Sequence, residues 1–218
     1  MRLTAPVRTA VVGLSALSVV ALGGYAAGAS TGAPPVNRAV ANLPPRAEAP
    51  NPLIANGVSI GKSVAVYKSS GLGPGALGAA ANGTPQRYVD PAQFPGGVLP
   101  AGVTITEAQS MNALARIREN LASVGLGVED VITMRVFLDN PPGADVADYN
   151  GWNRAYRQFF ANTDRVTGGP VPVQLGTAAP APPLITNSAR PSRFTLEVAS
   201  LPVTGWLVEV EVDAVFPR

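Results

Sequence analysis

The chain has 218 residues, and its 46% hydrophobic content is enough for one full hydrophobic core, so the sequence predicts a single folded domain. It contains no cysteine and no histidine, which excludes disulfides, thiolate nucleophiles, serine–histidine catalysis and zinc sites built from these residues. Lys and Arg outnumber Asp and Glu by 16 to 14, and the surplus of two comes from Arg2 and Arg8. The rest of the chain is neutral, so we expect no nucleic-acid partner.

Residues 1–29 have the three-part layout of a secretory signal peptide. Two arginines precede an uncharged apolar stretch, residues 11–22, and the small-residue pattern A-G-A comes immediately before Ser30. We predict cleavage after Ala29 and export to the cell envelope or the medium, with no stable membrane insertion of the mature chain. The alternative is an uncleaved membrane anchor over residues 11–29, although glycines interrupt its apolar end.

A proline-rich segment follows, and it precedes the predicted domain. Residues 30–52 contain six prolines and show no apolar periodicity, which predicts an extended or disordered linker. We expect the folded domain over residues 53–218. It opens with two short runs rich in β-branched residues, 53–58 and 63–69, which predict a hairpin. The Gly- and Pro-rich residues 72–102 then predict a long loop, which in a compact domain is usually functional or mobile.

The clearest predicted helix covers residues 106–124, with Thr106 as its N-cap and Gln109 as the capping-box partner. Its apolar residues recur at helical spacing, and Gly125 is expected at the left-handed position that ends it. A strand follows over residues 130–139. Because this strand is apolar on both sides, we expect it at the centre of a sheet.

A second helix is predicted over residues 145–160, and its aromatic stripe predicts packing in the core. The stripe consists of Tyr149, Trp152, Tyr156, Phe159 and Phe160. Asn153 lies beside the stripe, where a polar side chain either satisfies itself locally or points into a site. Residues 161–189 form a second long Pro- and Gly-rich segment.

Residues 190–218 contain two runs of alternating apolar and polar residues, and we predict a hairpin with one buried face. The predicted apolar face comprises Phe194, Leu196, Val198, Trp206, Val208, Val210, Val212 and Ala214. The predicted polar face comprises Arg193, Thr195, Glu197, Glu209, Glu211 and Asp213. One arginine is therefore expected to face a row of carboxylates, which calls for a partner chain, a solvated rim or a reaction. On this pattern alone, Arg193 is expected to form a surface ion pair with Glu211 or Asp213.

The order of these elements predicts an α+β fold in which two helices pack on one face of a mixed β-sheet. Four stretches also resemble, in the same order, the RidA family of enamine/imine deaminases, also called the YjgF or L-PSP family. They are G-V-S-I-G leading to Ser70-Gly71, A-Q-S-M-N-A-L-A-R-I, D-Y-N-G-W-N-R-A-Y-R-Q-F-F, and P-S-R-F-T-L-E-V-A-S-L-P followed by V-E-V-E-V-D-A-V. The resemblance covers most of residues 53–218. It implies a homotrimer similar in fold to a trimeric chorismate mutase, with sites in the clefts between subunits.

The resemblance also implies roles for individual residues. Arg193 is implied to bind the carboxylate of a small 2-imino acid, for which the planar fork of a guanidinium is well suited. Glu209 is implied to position the water that attacks the imine carbon, so these two are the implied catalytic residues. The other implied substrate-binding residues are Ser70, Gly71, Asn153 and Thr195. No cofactor and no metal is implied.

Three features distinguish this chain from compact members of the family. Ile54 occupies the position where many deaminases carry a tyrosine, residues 72–102 and 161–189 are long, and the chain is predicted to be exported. The predicted function is hydrolysis of small enamines or imines to 2-oxo acids and ammonia, and the alternative is a trimeric module that binds small carboxylates without turnover. Ribonuclease action, for which some members are named, is disfavoured by the neutral charge and the lack of histidine.

Overall fold

The computed structural model describes residues 37–217, so the predicted signal peptide and residues 30–36 of the predicted linker lie outside the described residues. The strands within this range are β1 (Ala39–Asn42), β2 (Gly57–Ile60), β3 (Val66–Lys68), β4 (Val131–Leu138), β5 (Ser192–Glu197) and β6 (Val208–Val215). The α-helices are α1 (Ile105–Ala122) and α2 (Tyr149–Arg157). Short 3-10 helices cover Pro85–Tyr88, Pro95–Gly97 and Val128–Asp130. None of the helices described in residues 37–217 has the length and apolar character to cross a membrane.

The main sheet has four strands in the order β3-β6-β4-β5. β4 is antiparallel to β6 and parallel to β5, so the sheet is mixed, and β4 lies in its interior as predicted. The predicted C-terminal hairpin is wrong, because β4 lies between β5 and β6. Alternation of apolar and polar residues indicates which side chains share a face of a strand, but it does not identify the neighbouring strand.

Both helices pack against one face of this sheet, which confirms the predicted α+β fold. The sheet contributes to the core the buried residues Met134, Val136, Leu138, Val208, Val210, Val212 and Ala214. From α1 come Ala108, Met111, Leu114, Ile117 and Leu121. The aromatic stripe of α2 is in the core as predicted, with Tyr149 partly buried and the other four aromatics fully inside. The opposite face of the sheet carries no helix of the described chain, and we call it the open face.

The part of the predicted linker that the structure describes is not disordered. β1 pairs antiparallel with β2 in a separate two-stranded sheet. Arg165 Nη1 donates hydrogen bonds to the carbonyl oxygens of Pro44 at 2.9 Å and Ala49 at 3.1 Å. Proline lacks an amide donor but keeps its carbonyl acceptor, so a side chain can hold a segment that forms few backbone bonds of its own.

The predicted hairpin of residues 53–58 and 63–69 is also wrong. β2 takes β1 as its partner, and β3 pairs antiparallel with β6 at the edge of the main sheet. Two short strands separated by a few residues satisfy the local pattern of a hairpin, but their partners come from distant parts of the chain.

The ends of the helices differ from the predicted ones by a few residues. The N-cap of α1 is Thr104, whose Oγ1 accepts a hydrogen bond from the amide of Glu107 at 3.0 Å. The predicted cap, Thr106, is buried inside the helix, and Gln109 bonds to distant backbone instead of closing a capping box. Thr104 is favoured as the N-cap because its hydroxyl also donates a hydrogen bond to Asp148, the N-cap of α2, at 2.5 Å. This bond connects the N-termini of the two helices.

Candidate functional site

Arg193 lies on β5, and the register of the sheet decides which face its side chain takes. It is paired with Met134 of β4, which is paired with Val212 of β6, so Arg193 points to the helix-covered face. Its guanidinium carbon lies 4.4 Å from the ring centroid of Tyr156 and 5.8 Å from that of Trp152. An arginine in this position is held by attraction between the cation and the aromatic rings.

The hydrogen bonds of Arg193 leave part of its guanidinium unused. Nη2 donates to Oδ1 of Asn153 at 2.8 Å, whereas Nη1 is buried and has no hydrogen-bond partner among residues 37–217. Burial is the main cause that lowers the pKa of Arg193 below its ordinary value. A buried, charged donor without a partner is unfavourable, so an incoming carboxylate would remove a cost that the empty site carries.

The same face carries Thr195, whose hydroxyl oxygen is also buried and without a hydrogen-bond partner. Arg193, Asn153 and Thr195 therefore form one group under the helices, which we call the anchor group. The predicted apolar face of β5 lies on the other side. Phe194 and Leu196 are 45% and 49% exposed on the open face, so the prediction that they are buried within the chain is wrong. On β5 Arg193 faces the helices, where Tyr156, Trp152 and Asn153 of α2 contact its guanidinium.

The row of carboxylates lies on the open face, and the arginine that meets it is Arg135 of β4. Arg135 Nη2 lies 2.8 Å from Asp213 Oδ2, and Nη1 lies 3.3 Å from Glu211 Oε2. The predicted ion pair of Arg193 with these acids is therefore wrong, because Arg193 points to the opposite face. The hydrogen bond to Asp213 is the largest cause that raises the pKa of Arg135.

Glu209 also lies on the open face, where it is paired with Phe137 of β4. A Cβ atom at Gly71 would collide with the Glu209 carboxylate, so only glycine allows this close approach. Leu72 exchanges backbone hydrogen bonds of 2.9 and 3.0 Å with Val210, which holds Gly71 beside β6. Ser70 precedes Gly71 and is exposed. We call Ser70, Gly71 and Glu209 the acid group. The resemblance implies a site in the cleft between subunits for the acid group and the anchor group together, and within one chain the two groups lie on opposite faces.

Arg157 lies close to both Arg193 and Arg190, and neither Arg157 nor Arg190 was among the predicted site residues. The positive charge of Arg157 adds to burial in lowering the pKa of both Arg190 and Arg193. Arg157 donates to the carbonyl oxygens of Ala161 and Asn51, and Arg190 to those of Pro52, Ser188 and Thr163. In the part of the chain that the structure describes, none of the three arginines pairs with a carboxylate. The stretch A-R-P-S-R was the only sequence signal for such a cluster.

A cavity of about 490 Å³ lies alongside α2 and reaches the anchor group. Its lining comprises Asn51, Leu53, Asn150, Asn153, Arg154, Arg157, Val171, Pro172, Val173, Gln174 and Pro180. Leu53 precedes Ile54, the position where a tyrosine is common in the family, and its carbonyl oxygen accepts a hydrogen bond from Tyr156 at 2.8 Å. Across residues 37–217, no cluster of acidic side chains could hold a metal ion.

Comparison with known proteins gives a family match. The family model described as Endoribonuclease L-PSP matches residues 97–216. No curated protein sequence matches the chain. Three solved structures illustrate the likeness to known folds. YyfB of the Rid family from Yersinia pestis is 17% identical with a TM-score of 0.45, and the match covers 82% of this chain and 98% of YyfB.

The second structure is a YjgF-family member from Mycobacterium tuberculosis, 17% identical with a TM-score of 0.38, covering 82% of this chain and 100% of that one. The third is TdcF from E. coli with bound serine, 24% identical with a TM-score of 0.38, covering 75% and 88%. The family model extends from the loop before α1 to the residue after β6 and so includes both helices and the three longest strands. With more than half of its length matched, the chain belongs to the L-PSP family, also known as the YjgF or RidA family.

Proposed function

We propose that this chain hydrolyses small enamines or imines, in particular 2-imino acids, to 2-oxo acids and ammonia. The observation that supports this most is the state of Arg193. Its guanidinium is stacked on Tyr156, keeps one buried nitrogen without a hydrogen-bond partner and meets no carboxylate in residues 37–217. A substrate carboxylate matches the two-pronged shape of the guanidinium and would supply the missing acceptor.

We further propose that the site is assembled from two copies of the chain. Arg193 and Glu209 point to opposite faces of one sheet, so a single chain does not present both to one small substrate. The anchor group of one copy would therefore meet the acid group of its neighbour. In a closed ring of identical subunits each interface joins two different patches, and a homotrimer would contain three such sites.

Exposed apolar side chains support this assembly. On the open face Phe194 and Leu196 are about half exposed, and the Phe194 ring packs edge-to-face with Phe137 at a centroid distance of 6.4 Å. Burial of such a patch by a second copy is favourable, at about 25 cal/mol for each Å² of apolar surface removed from water. The proposed trimer thus uses the face that the helices leave uncovered.

The proposed reaction needs a carboxylate that accepts and returns protons and a cation that holds the substrate. Arg193 holds the substrate carboxylate and so orients the adjacent imine carbon. Glu209 of the neighbouring copy takes a proton from a water molecule as the water oxygen bonds to that carbon, and it then passes the proton to the nitrogen. Glu209 next takes the hydroxyl proton of the resulting carbinolamine and passes it to the same nitrogen, so the carbon–nitrogen bond breaks, a 2-oxo acid forms and ammonia departs. The products account for all atoms of the imine and one water, and no cofactor is needed.

An ammonia-release assay tests this proposal. An amino-acid oxidase generates 2-imino acids in the cuvette, and the protein is expected to accelerate ammonia release. Arg193→Gln should lower this acceleration by at least about a hundredfold, because the fork that orients the substrate is lost. Arg118→Gln is the matched control, since Arg118 is exposed on α1 and far from both groups in sequence. Absence of acceleration by the wild-type protein would reject the deaminase proposal.

A second candidate is a trimeric module that binds small carboxylates without turnover. Ile54, at the position where many deaminases carry a tyrosine, and the long loops 72–102 and 161–189 favour it. Calorimetry with short 2-oxo acids distinguishes the two: binding without ammonia release supports the module. Ribonuclease action is not proposed despite the family's description, because the chain contains no histidine and its charges balance outside residues 1–29. The export predicted from those residues would place either activity outside the cytoplasm.

A further inference from the structure

The cavity alongside α2 is larger than a three-carbon imino acid requires. Its volume of about 490 Å³ lies in the range of pockets that hold whole organic ligands. Asn153 connects it to the anchor, because its side chain lines the cavity and its Oδ1 accepts the hydrogen bond from Arg193. A substrate held by Arg193 therefore has room to extend along α2 beyond Asn153.

The charge of the cavity lining is positive. It includes Arg154 and Arg157 and no acidic side chain. Arg154 is neutralised by Glu107, with a distance of 2.8 Å from Nη2 to Oε2. Arg157 donates its side-chain hydrogen bonds to backbone carbonyl oxygens, and no carboxylate within residues 37–217 pairs with its charge. A second anion in the cavity would offset the repulsion between Arg157 and its neighbour Arg193.

Two parts of the cavity lining, α2 and the loop 161–189, are connected through Glu107 of α1. Glu107 is fully buried, and its Oε2 accepts from Nε and Nη2 of Arg154 at 3.0 and 2.8 Å. Its Oε1 accepts from the amide of Gly176 at 3.0 Å, two residues beyond Gln174 in the cavity wall. One carboxylate thus ties the long loop 161–189 to α2. A cavity held in this way is formed before the ligand arrives, which reduces the entropy lost on binding.

We propose that this cavity receives the far end of the substrate and that this end carries a second acidic group. The preferred substrates are then 2-imino acids with a carboxylate at each end, not short monocarboxylic ones. The apolar wall formed by Leu53, Val171 and Val173 contacts the carbon chain, and Arg157 binds the second carboxylate. This inference rests on the proposed function, since it assigns the substrate class of the same site.

Calorimetry with two matched ligands tests it. 2-Oxoglutarate and 2-oxopentanoate have the same number of carbons and differ in the second carboxylate. 2-Oxoglutarate is expected to bind at least about tenfold more tightly to the full chain, the gain from one charge-assisted contact. Arg157→Gln should reduce this ratio toward one. Gln174→Trp should do the same, because Gln174 lines the cavity from an exposed loop position and a larger side chain there fills it. Thermal unfolding checks that each variant is folded, and Arg118→Gln should keep the ratio.

The outcomes separate this inference from the proposed function. Equal affinities for the two ligands, both abolished by Arg193→Gln, would overturn the dicarboxylate inference and leave the proposed function standing. No binding of either ligand by the wild-type protein would count against the proposed function itself. Glutarate, which lacks the 2-oxo group, provides a third arm. If it binds as tightly as 2-oxoglutarate and is indifferent to Arg193→Gln, the cavity is a separate anion site and the inference fails.

Discussion

The two faces of the four-stranded sheet each carry an arginine, and the two arginines have opposite surroundings. On the open face, Arg135 pairs with two carboxylates, and these bonds raise its pKa. On the helix-covered face, Arg193 stacks on Tyr156 and donates to the neutral amide of Asn153, and burial lowers its pKa. Within residues 37–217, Arg135 has counter-charges and Arg193 has none. Under the proposed function, the first arginine stabilises the fold and the second binds the substrate carboxylate.

The variants with the largest expected effect on activity test whether each site combines the helix-covered face of one copy with the open face of another. Arg193→Gln and Glu209→Gln should each lower activity at least about a hundredfold, since each removes one half of every site. If the halves come from different copies, trimers reassembled from an equal mixture of the two inactive variants should recover about one quarter of wild-type activity. Ammonia release after joint denaturation and refolding measures this recovery. Glu119→Gln, at an exposed position on α1, is the control for the second variant.

A mixture that reassembles, as shown by mass spectrometry of the hetero-trimers, but stays inactive would contradict the two-copy site. It would mean that Arg193 and Glu209 must belong to the same chain, and the faces would then have separate functions.

The next effect contrasts packing on the two faces. Leu138 is fully buried under the helices, and Leu196 is 49% exposed on the open face. Leu138→Ala is expected to lower the free energy of unfolding by about 2–5 kcal/mol, because it leaves a cavity in the core. Leu196→Ala should cost about 1 kcal/mol in a single chain, where about half of this side chain is in contact with water, and more in the proposed trimer, where a neighbouring copy covers it. Urea denaturation at a high and at a low protein concentration measures both variants. A loss at Leu196 that stays near about 1 kcal/mol at both concentrations would contradict the proposal that a second copy covers the open face.

The smallest expected effect is a difference in the free energy of unfolding between variants of Arg135 and of Arg193. Arg135→Met should lower the free energy of unfolding by about 1–2 kcal/mol, because Asp213 is left nearly buried without its main partner. Arg193→Met should leave stability unchanged or raise it, since the variant removes a desolvated charge that has no counter-ion. The measurement is thermal or urea unfolding at pH 7 for both variants. Equal losses for the two would remove the distinction between a structural and a ligand-binding arginine.

Much of the fold could be predicted from local patterns, but the pairing of strands could not. Both helices, the central position of β4 and the buried face of β6 follow from periodicity, and the structure has them. The neighbours of β2 and β5 depend on contacts between distant segments, about which a period of two says nothing. On β5 even the choice of face was wrong, because Phe194 and Leu196 lie on the open face and the polar residues lie under the helices.

The candidate site, like the fold, was predictable from the sequence only in part. Its six residues were assigned by resemblance, and their separation into two groups on opposite faces became visible only through the register of β4, β5 and β6. Arg157 was absent from the predicted site because its partners, the carbonyl oxygens of Ala161 and Asn51, lie in segments without a sequence motif. A cluster of buried charges of this kind can be recognised only in the three-dimensional structure.

The indole of Trp152 gives this anchor a built-in optical probe. The chain contains two tryptophans, and the other, Trp206, packs edge-on against Tyr88 with ring centroids 6.3 Å apart. In a Trp206→Phe background, emission arises from a single indole whose centroid lies 5.8 Å from the guanidinium carbon of Arg193. Neutralisation of that cation changes the electric field across the ring and hence its emission wavelength. Occupancy of the anchor can therefore be followed by fluorescence titration, without a label and without a coupling enzyme.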